Sequence, residues 1–171
     1  MKIQDCSVIV TGAASGFGLS ISKNLASSGA FVYAFDINSE LLTSSLVDVP
    51  NIKTIVCDIT DADSVASSFD QIYEGNNGAN VLINNAGIMH NEPLVNMLNS
   101  ERKHDISSWD RVINVNLKSP FLMARSFVDS NVSLRRPALI INITSICASG
   151  NIGQSAYSAS KAGLESLTYV W

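Results

Sequence analysis

A chain of 171 residues can bury one substantial core and lies near the usual size of one domain, so residues 1–171 are expected to form a single domain. With 46% hydrophobic and 15% charged residues, the composition excludes a disordered or collagen-like chain. The formal net charge of −4 supplies no basic field for nucleic acid, no apolar run reaches the ~18–20 residues of a membrane span, and Met1–Asp5 has no signal-peptide character; a cytoplasmic protein without nucleic-acid or membrane partners is expected.

Ser7 to Thr11 reads as a β-branched strand that runs into the turn Gly12-Ala13-Ala14-Ser15-Gly16-Phe17-Gly18. Leu19, Ile21, Leu25 and Ala26 then fall near helical spacing over Ser15–Ser28, with Gly29 at the C-terminal cap. Ala30 to Phe35 is a second strand ending at Asp36, and Asn51 to Cys57 a third ending at Asp58. Thr60 and Asp63 resemble a capping box before a helix marked by Val65, Phe69, Ile72 and Tyr73. Val81 to Ile83 makes a fourth strand, closed by Asn84-Asn85-Ala86-Gly87. Met89 to Ser108 is polar and aperiodic and is expected to be a long loop with room for one turn of helix, its cluster Glu101-Arg102-Lys103-His104-Asp105 a solvated surface. Trp109 to Val128 reads as a long helix, Arg135-Arg136-Pro137 as a surface turn, Ala138 to Ile143 as a fifth apolar strand, and Ser155 to the chain end as a last helix.

Five largely apolar strands separated by helical patterns predict a doubly wound α/β fold, a parallel sheet with helices on both faces. Ligands bind such sheets at the C-terminal edge of the strands, and the notable polar residues lie there. Cys6, Cys57 and Cys147 are isolated and read as reduced packing residues; nothing ties His90 or His104 to a cysteine as a catalytic pair would require, and no metal site is expected.

The loop Gly12-x-x-x-Gly16-x-Gly18 between strand and helix lets the backbone approach a diphosphate while the helix N-terminus offers N–H groups; the alternative is a tight turn with glycines for packing. It is not a Walker loop, because no Gly-Lys-Ser/Thr follows. Asp36, about 20 residues on at a strand end, can accept from both adenosine ribose hydroxyls, or can be a simple turn residue. Its charge opposes a 2'-phosphate, and Ser15 leaves the loop without a basic partner, so NAD(H) is expected over NADP(H). Tyr157 and Lys161 share one helix face, where an ammonium favours phenolate and makes the phenol a usable acid or base. Chance also produces such pairs. Ser145, just past the fifth strand, can hold a substrate oxygen beside them.

In order, Thr11-Gly12-x-x-x-Gly16-x-Gly18, Asp36, Asp58-Ile59, Asn84-Asn85-Ala86-Gly87, Asn114-Val115-Asn116-Leu117, Ser145 and Tyr157-Ser158-Ala159-Ser160-Lys161 resemble the short-chain dehydrogenase/reductase family over essentially the entire chain. The resemblance implies a Rossmann-like three-layer fold and hydride transfer between NAD(H) and an alcohol or ketone carbon. It makes Tyr157 the general acid/base, Lys161 its partner and a ligand of the nicotinamide ribose, Ser145 the holder of the substrate oxygen, and Asn116 the holder of a water linking Lys161 to solvent. It also implies cofactor contacts at Gly12, Ser15, Gly16, Phe17, Gly18, Asp36, Ile37, Asp58, Ile59, Asn85, Ala86 and Gly87, and a homo-oligomer.

Two departures stand out. The chain stops at Trp171, before the family's last strands and substrate loop, and the Ser145–Tyr157 interval is one residue shorter than common. A protein ending there is expected to be inactive with substrate and either to associate through Leu164, Leu167, Tyr169, Val170 and Trp171 or to be poorly soluble, which leaves an NAD-binding but non-catalytic module as the competing reading. The long Met89–Ser108 segment resembles an insertion in members that oxidise 3-hydroxyacyl-CoA and hydroxysteroids; sugar alcohols, small diols and 3-oxoacyl thioesters stay open.

Overall fold

The computed structural model describes residues 1–74, 78–98, 100 and 102–171. Among them are strands β1 (Ser7–Thr11), β2 (Phe31–Asp36), β3 (Ile52–Val56), β4 (Val81–Asn84) and β5 (Leu139–Asn142), and helices α1 (Gly16–Ser27), α2 (Ser39–Leu46), α3 (Ala62–Tyr73), α4 (Ile106–Ile113), α5 (Ser119–Ser133) and α6 (Ser155–Val170). The chain divides into two compact units, residues 1–86 with 121–141, and residues 87–120 with 142–171.

The first unit holds a five-stranded parallel sheet in the order β3-β2-β1-β4-β5, the Rossmann-like α/β arrangement the periodicities predict. Because β1 pairs parallel with both β2 (Thr11 opposite Phe35) and β4 (Val10 opposite Ile83), the C-terminal ends of the three strands lie at one edge, and the strand order reverses there at β1. Central strands β1, β2 and β4 are buried almost throughout, which explains their unbroken apolar character. The edge strands differ. β5 alternates in exposure, with Leu139 48% and Ile141 39% exposed.

Phe35, Val65, Phe69, Ile72, Met123 and Phe127 pack with Ile9 and Leu82 into one core, and truncating a fully buried ring such as Phe127 costs about 3–5 kcal/mol. Within it the Tyr73 hydroxyl donates to Ala79 O (2.7 Å) and accepts from Asn131 Nδ2 (2.8 Å), joining α3 to α5. Sequence patterning passed over α2, a short Ser-rich helix capped by Asn38, whose Oδ1 accepts from Leu41 N (2.9 Å). The capping box is corrected too. Asp61, not Thr60, caps α3, and the Thr60 hydroxyl donates instead to Asp58 Oδ1 (2.7 Å).

In the second unit, α4 begins at Ile106 rather than Trp109, because Asp105 caps it by accepting from Ser107 N and from Ser108 N (2.8 Å). The expected single helix is interrupted by a π-helical turn, Asn114–Lys118, before α5 resumes. Such a turn carries one residue too many for α geometry and redirects side chains. The charged cluster is only partly a solvated surface: Arg102, Lys103 and Asp105 are exposed, Glu101 lies outside the described residues, and the His104 side chain is 8% exposed. Its ring lies edge-on to Trp109 and to His90, and its Nδ1 is 3.2 Å from Glu92 Oε2. All three cysteines are free. No described helix is long and apolar enough to cross a membrane.

Candidate active site

In the first unit, the loop after β1 is shaped by what a side chain would meet. A Cβ on Gly18 would stand 2.0 Å from Gly12 O and 2.6 Å from Asn85 Nδ2, so only hydrogen lets α1 start this close to the loop. Gly16 has φ +53° and open space where a Cβ would stand, a left-handed backbone beside a vacant approach to the N–H groups that open α1. Ser15 is the exposed N-cap and makes no side-chain capping bond, and Phe17 is 81% exposed.

Thr11 ties this loop to the end of β4. Its Oγ1 accepts from the backbone N–H groups of Asn85 and Ala86 (3.0 Å each), while Asn85 Nδ2 donates to Thr11 O (2.9 Å). Asn85 therefore has its side chain committed to the fold. Asp36 has both carboxylate oxygens on backbone donors, Oδ2 on Ala14 N and Oδ1 on Asn38 N, at 3.0 Å. Each oxygen keeps a lone pair, so ribose hydroxyls can still be accommodated. Ile37 is 66% exposed, Asp58 accepts from Thr60, and Ile59 packs against the core. This loop, with its vacant approach and an acid at the next strand end, fits the adenosine and diphosphate portion of a dinucleotide.

In the second unit, the π-turn presents Asn116 inward and fully buried. Its amide clamps one residue from both sides: Oδ1 accepts from Ile88 N and Nδ2 donates to Ile88 O, each at 2.8 Å, with Ser160 Oγ at 3.3 Å from Nδ2. The oddity of a polar residue within a long helix thus has a structural reason. Lys161 is 4% exposed; its Nζ donates to Ile143 O (2.8 Å) and lies 5.8 Å from the centre of the Tyr157 ring. Burial pushes the lysine below its ordinary value of 10.5, because desolvation penalises the ammonium.

Beside these, Gly87 is bare. A Cβ there would stand 3.4 Å from Asn116 Oδ1 and 3.5 Å from Lys161 Nζ, so the absent side chain leaves free a space bordered by the ammonium. That space fits a ribose hydroxyl. Ser145 begins the turn Ile146–Ser149, which packs against α6, and its Oγ accepts from Cys147 N (3.2 Å). Tyr157, Lys161, Asn116 and Gly87 are thereby assembled around one face of α6, with Lys161 and Asn116 buried, Tyr157 partly buried and Gly87 exposed. Motif reading missed Thr11 as an organiser, and Gln154, the buried N-cap of α6, which carries no motif signal of its own.

Residues 7–171 match the model of the family described as short chain dehydrogenase. The chain is 34% identical to a 3-oxoacyl-[acyl-carrier-protein] reductase of Thermotoga maritima over all of its own length and 68% of the relative's, and 33% identical to a human (3R)-3-hydroxyacyl-CoA dehydrogenase over 98% of its length and 66% of the relative's. A crystal structure of a short chain dehydrogenase from Bacillus anthracis shares the fold with a TM-score of 0.89 at 24% identity, over 98% of this chain and 69% of that one. The chain spans 60 to 68% of the length of its curated relatives. With the Rossmann-like sheet and a match running from the first strand to the final residue, the chain belongs to the short-chain dehydrogenase family, whose members are oxidoreductases that use NAD(P).

Proposed function

We propose that this protein interconverts an alcohol and a ketone with NAD(H), using Tyr157 as general acid/base. The observation that supports this most is the face of α6 where the buried Lys161 ammonium stands 5.8 Å from the Tyr157 ring centre next to the bare Gly87. When bound, the nicotinamide supplies or accepts the hydride. In the reducing direction the Tyr157 hydroxyl donates its proton to the carbonyl oxygen, which Ser145 Oγ orients by hydrogen bonding. The Lys161 ammonium stabilises the negative charge left on the phenol oxygen. Its desolvated Nζ holds its own proton less tightly than an exposed lysine does, which suits it to resupply Tyr157 through a water held near Asn116.

Asp36 would take the adenosine ribose hydroxyls and disfavour a 2'-phosphate, since no Arg or Lys stands in residues 12–18. Among substrates, we favour a 3-oxoacyl or 3-hydroxyacyl thioester, the class in the names of two relatives. Ile146, next to Ser145, is 94% exposed and Ile152, two residues before Gln154, is fully exposed, offering apolar surface to an acyl chain. A cytoplasmic homo-oligomer completes the reading, with Phe121, Val128 and Val132 of α5 exposed at 46%, 45% and 70%.

The test follows nicotinamide absorbance with acetoacetyl-CoA and NADH, and with sorbitol 6-phosphate and NAD+, after calorimetric titration with NADH and NADPH. Turnover with tighter NADH binding supports the reading. Cofactor binding without turnover on a wider panel of carbonyl compounds assigns a binding module instead, and tighter NADPH binding overturns the role of Asp36.

A further inference from the structure

The segment that follows β4 is held at several points within the second unit. Asn116 grips Ile88 by both its backbone groups. Four residues on, Glu92 N donates to Gly153 O at 2.7 Å, and Glu92 pairs with Gln154 as an isolated parallel bridge. On the other side, Glu92 Oε2 accepts from Asp105 N (3.1 Å), the cap of α4. Ile88–Glu92 is therefore a strap between the turn that bears Asn116 and the start of the helix that bears Tyr157 and Lys161.

Gln154 fastens the strap on the α6 side. It is 8% exposed, its Nε2 donates to Asn91 Oδ1 (2.8 Å) and contacts Met89 Sδ (3.0 Å), and its Oε1 is buried without a partner among the described residues. Turning the amide over would not help, since Oε1 would then face the Asn91 oxygen and the sulfur. A side chain needed only to fill this space would be served as well by methionine, of similar volume and with no orphaned acceptor. What methionine cannot do is donate to Asn91.

We infer that Gln154 is a positioning residue for the reaction, its amide locking Met89–Asn91 to the N-terminus of α6 so that Tyr157, three residues on, is held in register with the Asn116-anchored strap. This rests on the proposed role of Tyr157. The bond to Asn91 is the transmitting contact, and because Asn91 is exposed, it can be altered with little risk to the fold.

The experiment compares wild type, Gln154→Met, Asn91→Ala, the double variant and the conservative Asn91→Asp, which keeps an acceptor for Nε2, in the intact protein with NADH and acetoacetyl-CoA. Gln154→Met and Asn91→Ala are each expected to lower kcat by about tenfold, as loss of registry at a reacting group does, with cofactor Kd unchanged. The double variant should be no worse than either alone, and Asn91→Asp should be near wild type. The melting temperature of Gln154→Met should not fall, because the orphaned acceptor goes with the amide. A Gln154→Met kcat near wild type, additive losses, or a fall in kcat matched by loss of cofactor affinity would overturn the inference.

Tyr157→Phe run alongside keeps the two claims apart: if that variant retains turnover, the acid/base reading fails whatever Gln154 does. Amide hydrogen exchange reads the clamp without any turnover. The Glu92 N–H should exchange about tenfold faster in Gln154→Met and in Asn91→Ala, and an unchanged rate in both would overturn the clamp.

Discussion

Gly87→Ala separates the cofactor site from the fold. The residue is exposed and is not among the glycines with positive φ, so alanine meets no backbone strain. Its methyl would lie 3.4 Å from Asn116 Oδ1 and 3.5 Å from Lys161 Nζ, which is ordinary van der Waals contact. Stability should therefore change by no more than about 0.5 kcal/mol. If the nicotinamide ribose rests against Lys161, as the family resemblance implies, however, the methyl occupies part of its place. Overpacking by one methyl costs about 1–3 kcal/mol, which weakens binding about 5- to 150-fold. Calorimetric titration with NADH, paired with a thermal melt, reads both quantities on one sample. An NADH Kd within about twofold of wild type would refute the placement of the ribose, and a collapse of the melt would refute the packing around Gly87.

Gly18→Ala should behave in the opposite way, losing the folded state because its methyl would fall 2.0 Å from Gly12 O, which no small shift relieves; a cooperative melt near the wild-type midpoint would contradict this. Lys161→Met removes a buried ammonium whose folded-state pKa is depressed below 10.5. The penalty on wild type is then full at neutral pH and is relieved as pH rises through the folded value, since there the unfolded chain binds more protons. The stability of Lys161→Met relative to wild type should accordingly decrease between neutrality and about pH 10 in urea melts, and a gap that stays constant or grows would refute the burial argument. Glu92, held below its ordinary range first by the Asp105 N–H and then by His90, contributes stability that is present above the unfolded carboxylate value and lost as pH falls through the folded one; Glu92→Gln should flatten the acid limb of the melting profile, and an unchanged limb would contradict it.

The central strands were legible because burial on both faces leaves an unbroken apolar run, as in Val8-Ile9-Val10 and Val32–Phe35. The glycine loop was legible because glycines at that spacing have few other uses between a strand and a helix. α2 escaped because Ser39, Thr43, Ser44 and Ser45 carry no helical period, and its start is set by Asn38 capping alone. The π-turn escaped because periodicity records the apolar face, whereas the insertion is fixed by Asn116 reaching Ile88, 28 residues earlier. His104 looked solvated among charged neighbours, and only folding brings Trp109, His90 and Glu92 around it. Gln154 carries its signal in an unpaired oxygen, and a sequence holds no record of hydrogen bonds left unmade.

Single-turnover reduction of acetoacetyl-CoA, with NADH bound in excess and its absorbance followed by stopped flow, tests the role of Tyr157 most directly when wild type is compared with Tyr157→Phe. Deleting the proton-transferring hydroxyl should slow the chemical step by about 10²- to 10⁴-fold while the NADH Kd stays the same. A Tyr157→Phe protein that keeps more than about a tenth of the wild-type rate would contradict general acid/base catalysis by this residue.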